Sequence, residues 1–203
     1  MADDLRRQAE EHFKRGNQFD EQGERERAIQ EWLTAIDCDP QHIGAHFNLG
    51  IAYAEEDDIE RALQQLHEVI RLDPFDTQAR RILAEILIEQ EQTDQAINQL
   101  RQVLNLNPSD HQAVHLLTQI YFDLEMWDQA AATLEMGGME KEDADLWFEL
   151  GMVYEMQQHR LDDAILAYRR ALIARPEHAG AARALRRLNV PLEEFSDDEE
   201  FEK

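Results

Sequence analysis

Two pairs of histidines have the residue type and spacing in this chain that most resemble a metal-binding motif. His42 and His46 are four residues apart, and so are His111 and His115. Two histidines on one helical face could share a metal ion, but a specific site needs three or four ligands. No glutamate between the histidines completes a metalloprotease motif. The pattern favours solvated or packed histidines, and we predict no bound metal.

Motifs for catalysis are missing from the sequence. It contains neither a glycine-rich phosphate loop nor a nucleophile elbow. Cys38 is the single cysteine, so a disulfide within the chain is excluded. No sequence signature of a cysteine–histidine catalytic pair surrounds it. Carboxylates are abundant, but 44 acids among 203 residues form pairs by chance. We therefore expect no enzymatic activity and no cofactor.

Composition and charge narrow the choice of partner. Acids outnumber bases 44 to 20, and the net charge of −24 disfavours nucleic acid, because phosphate contacts need clustered lysine and arginine. No apolar run approaches the roughly 18–20 residues that span a bilayer, and residues 1–4 lack the features of a signal peptide. We expect a cytoplasmic protein with a protein partner. Only three bases are lysines, and we hypothesise an adaptation to a salty cytoplasm.

The elements that must position these side chains follow a 34-residue repeat. Pro40, Pro74 and Pro108 are each 34 residues apart. Alanine recurs with the same spacing at Ala28, Ala62, Ala96, Ala130 and Ala164. Small residues come earlier in each repeat, at Gly16, Gly50, Ala84, Thr118 and Gly151, and three residues later follow Phe19, Tyr53, Leu87, Tyr121 and Tyr154.

Apolar residues within each repeat have helical spacing. In the second repeat, Phe47, Ile51 and Ala54 share one helical face. Asp57 and Asp58 separate this helix from a second apolar stripe that begins at Ile59, and they can cap the second helix. Each repeat is therefore predicted to be an antiparallel helix pair, in which the small residues allow close approach. One pair cannot bury both of its apolar faces alone, so neighbouring pairs must stack.

This pattern resembles the tetratricopeptide repeat (TPR), W-x2-L-G-x2-Y…A-x3-F…P. The resemblance implies an all-α fold, a right-handed α-solenoid of five helix pairs plus a C-terminal capping helix, forming a single domain over residues 1–190. The expected repeats are 9–42, 43–76, 77–110, 111–143 and 144–178. A capping helix is expected at 179–190, with Arg183, Arg186 and Arg187 on its outer face, and an acidic disordered tail at 191–203.

The fourth repeat departs from the pattern. Gly137 and Gly138 lie in its second helix, where glycine is a poor helix former. We expect these glycines to end the helix about a turn early. Residues 137–143 would then form a longer loop, either an ordinary helix end with a change in loop length or a hinge that changes the pitch of the superhelix.

In TPR proteins, peptides bind a concave groove lined by the first helix of each repeat. Apolar anchors with an acidic surround would suit a basic amphipathic helix or extended segment. Alternatively, the apolar side chains are packed between neighbouring helices, because stripes at helical spacing are usually core. The resemblance implies the groove residues Phe13, Asn17, Phe47, Asn48, Ile51, Arg81, Glu85, His115, Gln119, Phe122, Phe148 and Met152.

Some relatives clamp a partner's C-terminal carboxylate with lysines and asparagines from adjacent repeats. Asn17 and Asn48 match two of those positions, but Phe13 replaces the expected lysine. Gln78 and Ile82 stand where a lysine and an arginine are expected in the third repeat. A carboxylate needs charge-assisted donors, so we do not expect this mode of capture.

These features predict a non-enzymatic scaffold, an adaptor or assembly chaperone that binds an apolar segment with basic flanks. The alternative is a structural scaffold that associates with itself. The segment 192–203 contains seven acids, with Leu192, Phe195 and Phe201 among them. This segment is a solubilising tail or an acidic-hydrophobic docking segment. It could also fold back onto Arg183, Arg186 and Arg187 and regulate access.

Overall fold

The computed structural model describes residues 2–138, 143–157 and 159–191. Within these ranges the regular elements are eleven α-helices, and no strand is present. The expected all-α fold of five helix pairs followed by a C-terminal helix is confirmed. The chain forms two compact units, Met1–Leu106 and Asn107–Lys203. The single-domain boundary at residues 1–190 stays a prediction, and residues 192–203 lie outside the described part of the chain.

Three helix pairs make up the first unit. They are α1 (Ala2–Glu21) with α2 (Arg25–Cys38), α3 (Ile43–Glu55) with α4 (Ile59–Leu72), and α5 (Thr77–Glu89) with α6 (Thr93–Leu106). Successive pairs pack through α2 against α3 and through α4 against α5. Of the two acids predicted to cap α4, Asp58 is the cap, because its carboxylate accepts a hydrogen bond from the Arg61 backbone N–H at 3.1 Å.

The second unit contains two helix pairs and the C-terminal helix. They are α7 (His111–Asp123) with α8 (Trp127–Gly138), α9 (Ala144–Met156) with α10 (Leu161–Ala174), and α11 (Ala179–Arg187), which packs on α10. Asp110 caps α7 and Asp143 caps α9, each through a carboxylate that accepts from backbone N–H groups. None of the helices described in either unit is long and apolar enough to cross a membrane.

The two glycines of the fourth repeat are themselves part of its second helix, so the expected loop does not begin at residue 137, and the end of the helix beyond residue 138 lies outside the described residues. Helix α8 continues through Gly137 to Gly138. Gly137 is buried, and a Cβ atom at this position would collide with Val114 of α7. The glycine therefore allows α8 to pack closely on α7. Residues 139–142 of the expected loop lie outside the described residues.

Close packing within the pairs depends on the small residues of the first helices. A Cβ atom on Gly16 would lie 2.5 Å from Cδ1 of Trp32, and one on Gly151 would lie 2.5 Å from Cδ1 of Tyr168. Real Cβ atoms do not approach other atoms so closely, so the predicted steric role of these glycines is confirmed. The repeating alanines of the second helices are fully buried at Ala28, Ala62, Ala96, Ala130 and Ala164.

The turns inside the first four pairs share one backbone conformation. The residue with positive φ recurs every 34 positions, at Gly23 (75°), Asp57 (61°), Glu91 (57°) and Glu125 (56°). The residue that follows each of them donates its backbone N–H to the carbonyl five positions earlier, as from Asp58 to Tyr53 at 2.8 Å. These carbonyls belong to Phe19, Tyr53, Leu87 and Tyr121. These bonds pair backbone groups that the helix end leaves without a partner.

The C-terminal helix is shorter than expected. Helix α11 begins at Ala179 as predicted but ends at Arg187 rather than at residue 190. Asn189 has a φ of 57°, and the Val190 N–H donates to the Leu185 carbonyl at 2.9 Å. This left-handed termination ends the helix before Pro191, so the proline is not needed to stop it.

Candidate functional site

Five expected groove residues of the second unit lie around two adjoining pockets. His115 and Gln119, on α7, line the smaller pocket, and Phe148, on α9, lines the larger one. Phe122 and Met152 line both. The side chains of Phe122, Phe148 and Met152 are half-buried, so each keeps an accessible apolar surface. The five residues that the sequence analysis assigned to one groove in this unit therefore lie together on one surface.

The larger pocket, of about 360 Å³, is built on Phe148. The Phe148 ring is 5.8 Å from the Tyr168 ring and 4.9 Å from the His178 ring, measured between centroids. Gly180 makes room for it, because a Cβ atom there would lie 2.9 Å from Phe148 Cζ. Met156 lines the same pocket and is half exposed. These contacts fix an aromatic wall beside an accessible apolar surface.

The three arginines expected on the polar face of the capping helix are all exposed, and two of them also border the larger pocket. Arg183 and Arg187 both line the pocket. Arg187 Nη2 donates to both oxygens of Glu155, at 2.7 and 2.6 Å. The Tyr168 hydroxyl donates to the same carboxylate at 2.8 Å. The charge of Glu155 is therefore balanced by Arg187, whereas Arg183 is a further positive charge in the lining of the pocket.

The smaller pocket, of about 240 Å³, contains a buried carboxylate. His115 Nδ1 and Glu149 Oε1 are 2.9 Å apart. Burial raises the pKa of the Glu149 carboxyl above its ordinary value, while the neighbouring His115 opposes the shift. The other carboxylate oxygen, Oε2, is buried and has no hydrogen-bond partner among the described residues, and the same holds for the Thr118 hydroxyl. Asp123 adds a second acid to the lining.

In the first unit, the two expected asparagines are joined to each other. Asn48 Nδ2 donates to Asn17 Oδ1 at 2.8 Å, and Trp32 Nε1 donates to the same oxygen at 3.0 Å. The amide oxygen of Asn17 thus already accepts two hydrogen bonds from the protein. The pair connects α1, α2 and α3.

Other groove candidates of the first unit are partly packed. The Phe13 ring lies 4.7 Å from the His42 ring, and a Cβ atom on Gly44 would come within 2.9 Å of Phe13 Cζ. Phe13 thus packs between α1 and the start of α3, as the alternative interpretation expected. Phe47 and Ile51 on α3 are also half-buried.

The expected polar residues of the third repeat lie on one helix. Arg81 Nη1 is 3.7 Å from Glu85 Oε1 on α5. The Arg81 side chain is largely buried, with 18% exposed, whereas the Glu85 side chain is 43% exposed. This arrangement leaves Glu85 as the more accessible charge of the two.

The histidine pairs found in the sequence contact acids and backbone groups. His42 caps α3 by accepting from the Ala45 N–H at 3.1 Å, so it precedes the helix that holds His46. His46 is buried, with Nδ1 2.7 Å from Gln65 Oε1. His111 Nδ1 lies 3.0 Å from Asp143. Within the described residues, no group of three or more histidine, cysteine or acidic side chains could hold a metal ion.

The pocket residues of α11 were absent from the expected groove. A signal for them was present in the repeat register, because the first helix after residue 178 continues the numbering of the earlier first helices. Counted from the first residue of a repeat, the expected groove residues Phe148 and Met152 are positions five and nine of the fifth repeat. Positions two, five, six and nine of a helix counted from residue 179 are Gly180, Arg183, Ala184 and Arg187. All four line the larger pocket.

Helix pairs with this register and steric pattern define a class of repeat protein, and comparisons with known families agree. TPR family models match residues 16–57, 47–110, 87–150 and 144–178. Together these matches span residues 16–178 without a gap. The chain belongs to the tetratricopeptide-repeat family.

Solved structures share the fold at low sequence identity. MamA is 20% identical with a TM-score of 0.70, covering 85% of this chain and 94% of MamA. YrrB, described as a TPR protein with an unusual peptide-binding site, is 20% identical with a TM-score of 0.66, covering 86% and 90%. The first TPR of Spaghetti (RPAP3), bound to the HSP90 peptide SRMEEVD, is 22% identical with a TM-score of 0.55, covering 59% and 95%. No curated protein matches the chain.

Proposed function

We propose that this chain is a non-enzymatic interaction scaffold, an adaptor or assembly chaperone, that binds a peptide or helical segment of a partner protein along its first helices. The observation that carries the proposal is the pair of adjoining pockets in the second unit. Phe122 and Met152 form their common apolar wall. Accessible apolar pockets with a few convergent polar groups are typical of binding sites.

Peptide binding by similar structures supports the same function. YrrB and the first TPR of Spaghetti (RPAP3) are both described with peptide sites. Capture of a carboxylate tail by asparagines is not part of the proposal. Asn17 already accepts hydrogen bonds from Asn48 and Trp32, and no lysine stands at position 13.

Charge in the smaller pocket favours a basic side chain beside the apolar anchor of the partner. Glu149 and Asp123 both line this pocket, and one carboxylate oxygen of Glu149 is buried without a hydrogen-bond partner among the described residues. A cationic group would stabilise the ionised form of Glu149, which burial alone disfavours. We expect the partner segment to combine an apolar residue that contacts Phe122 and Met152 with a neighbouring lysine or arginine.

A capture experiment tests the groove. Immobilised wild-type protein and the variants Gln119→Arg and Phe122→Glu would be incubated with cytosol, and bound proteins identified by mass spectrometry. Gln119 is exposed in the smaller pocket, so its substitution should repel a basic partner without disturbing the core. The matched control is Phe75→Glu, because Phe75 is 74% exposed and lies outside the groove candidates. Circular dichroism melts verify that each variant is folded.

We expect a partner that is retained by wild type and Phe75→Glu but reduced at least about tenfold by both groove variants, which corresponds to about 1.4 kcal/mol. Equal recovery by all four proteins would contradict the groove as the binding site. Recovery of the chain itself as the groove-dependent partner would favour the self-associating scaffold instead.

A further inference from the structure

Positive charge accumulates on α11, although the whole chain carries a net charge of −24. Arg187 is compensated, because it pairs with Glu155 at 2.6 Å. Arg183 and Arg186 are exposed. Neither arginine forms an ion pair or a hydrogen bond within the part of the chain that the structure describes. These two guanidinium groups are therefore available to an acidic ligand.

The larger pocket lies next to this charge. Its cavity of about 360 Å³ has apolar walls from Phe148, Met152 and Met156, and Arg183 stands in its lining. An apolar cavity accepts an aromatic or aliphatic side chain, while a guanidinium group prefers a carboxylate. The best ligand is thus an acidic segment that contains a large apolar residue. The basic partner residue proposed for the smaller pocket does not meet this requirement.

The chain itself contains a segment of that chemistry. Residues 192–203 include seven acids and a single lysine, with Phe195 and Phe201 among the acids. Like charges elsewhere on this acidic protein would repel such a segment, whereas the arginines of α11 would attract it. Charge complementarity therefore favours α11 as the place where the segment docks.

The segment also begins within reach of the pocket. Arg187 lines the pocket and is the last residue of α11, and the described chain ends at Pro191, four residues later. An extended chain spans roughly 3.3–3.6 Å per residue. The ten residues from Pro191 to Phe201 can therefore cover roughly 33–36 Å, so no rearrangement of the helices is required.

We propose that residues 192–203 dock within their own chain into the larger pocket, with Phe195 or Phe201 in the cavity and neighbouring carboxylates paired with Arg183 and Arg186. Because the pocket shares Phe122, Phe148 and Met152 with the expected groove, the docked segment competes with a partner for that surface. This competition rests on the proposed function, whereas docking of the segment does not.

A peptide titration tests docking with the full chain and no external partner. The probe is a fluorescein-labelled peptide with the sequence of residues 192–203, and its binding is followed by fluorescence anisotropy. The first comparison is between wild type and a full-length Phe195→Ser/Phe201→Ser variant, whose own segment lacks the apolar anchors. The second adds Arg183→Glu/Arg186→Glu to that variant. The matched control adds Arg6→Glu/Arg7→Glu, which reverses two exposed arginines on α1.

We expect the Phe195→Ser/Phe201→Ser variant to bind the probe at least about tenfold more tightly than wild type, because the segment of the wild-type chain competes at a millimolar effective concentration. Adding Arg183→Glu/Arg186→Glu should weaken that binding at least about tenfold, and Arg6→Glu/Arg7→Glu should leave it within about twofold. Rising salt should weaken binding, because exposed charges are screened.

Equal probe affinity for wild type and the Phe195→Ser/Phe201→Ser variant, or no binding to either, would overturn the proposal. So would equal losses in the α11 and α1 charge reversals, because non-specific attraction would then explain the binding. If circular dichroism shows that Arg183→Glu/Arg186→Glu disturbs the helices, the neutral pair Arg183→Gln/Arg186→Gln replaces it. The capture experiment can fail while this titration succeeds, so the two proposals are tested separately.

Discussion

Opposite each small residue of a first helix stands a large residue of the second. Trp32 faces Gly16, Leu66 faces Gly50 and Tyr168 faces Gly151. In the same register, Leu100 and Leu134 correspond to the small positions Ala84 and Thr118, and all four are buried. The two bulkiest partners, the tryptophan and the tyrosine, thus stand opposite glycine. Volume is balanced across each helix pair, as close packing requires.

Substituting Gly16 by alanine tests whether stability depends on this balance of volumes. Gly16→Ala forces a methyl group against Trp32, and we expect it to lower the free energy of unfolding by about 1–3 kcal/mol. In a Trp32→Leu background, the same substitution should cost clearly less, because leucine leaves room for alanine at the equivalent positions 84 and 100. Urea unfolding followed by circular dichroism of the four proteins gives the coupling between the two sites. An identical penalty in both backgrounds would contradict the steric explanation.

At the scale of the element, the backbone conformation of the turns inside the helix pairs is the same from repeat to repeat, although the residue type changes. Gly23 has the residue type that suits its positive φ, whereas Asp57, Glu91 and Glu125 adopt the same conformation with a side chain. A non-glycine residue in the left-handed region costs about 1–2 kcal/mol. The stacking and hydrogen bonds of the adjoining helices must supply this energy.

Glycine at one of these turns should stabilise the protein. We expect Glu91→Gly to be more stable than Glu91→Gln by about 0.5–1 kcal/mol, because relief of backbone strain exceeds the entropic cost of glycine. The glutamine variant removes the same charge, so the comparison isolates the backbone. Gln90→Gly is the positional control, because Gln90 has a φ of −85° and gains no relief. Thermal melts that rank Glu91→Gly below Glu91→Gln would argue against this explanation.

At the scale of the whole molecule, charge is the dominant feature. Many arginines are engaged locally, such as Arg61 with Asp58 and Arg71 with Glu68, so little positive charge offsets the remaining acids. A net charge of −24 in 203 residues makes the folded chain repel itself. Exposed ion pairs of this kind contribute little to stability, so they do not remove the problem.

Salt should therefore stabilise the protein. We expect the melting temperature to rise when potassium chloride is increased from dilute buffer to about 1 M, where the Debye length is about 3 Å and repulsion between surface acids is screened. Chloride is preferred to sulfate, because sulfate also strengthens apolar burial. Equal melting temperatures in dilute and molar salt would contradict both this prediction and the hypothesis of adaptation to a salty cytoplasm.

The sequence by itself determined the helix pairs, because the evidence for them is local. The spacing of prolines, alanines and apolar residues is read along one helix at a time, and a cap such as Asp58 acts within one turn. The steric role of Gly16 could also be predicted, because small residues recur at the same point of each repeat and a large residue follows each of them by 16 or 17 positions. Five of the residues that line the two pockets of the second unit were implied by the resemblance to the TPR family.

The contacts between side chains of different helices were decided by the tertiary structure and not by the repeat register. Gly137 has the sequence signature of a helix end, but its contact with Val114 makes it part of the packing between α7 and α8. Asn17 reads as a free groove amide, yet Asn48 and Trp32 occupy its oxygen. The pocket beside Phe148 exists because α11 packs next to α9 and α10 and brings Arg183 to its wall. Spacing along a helix fixes which residues share a face, but only packing brings particular side chains of different helices together.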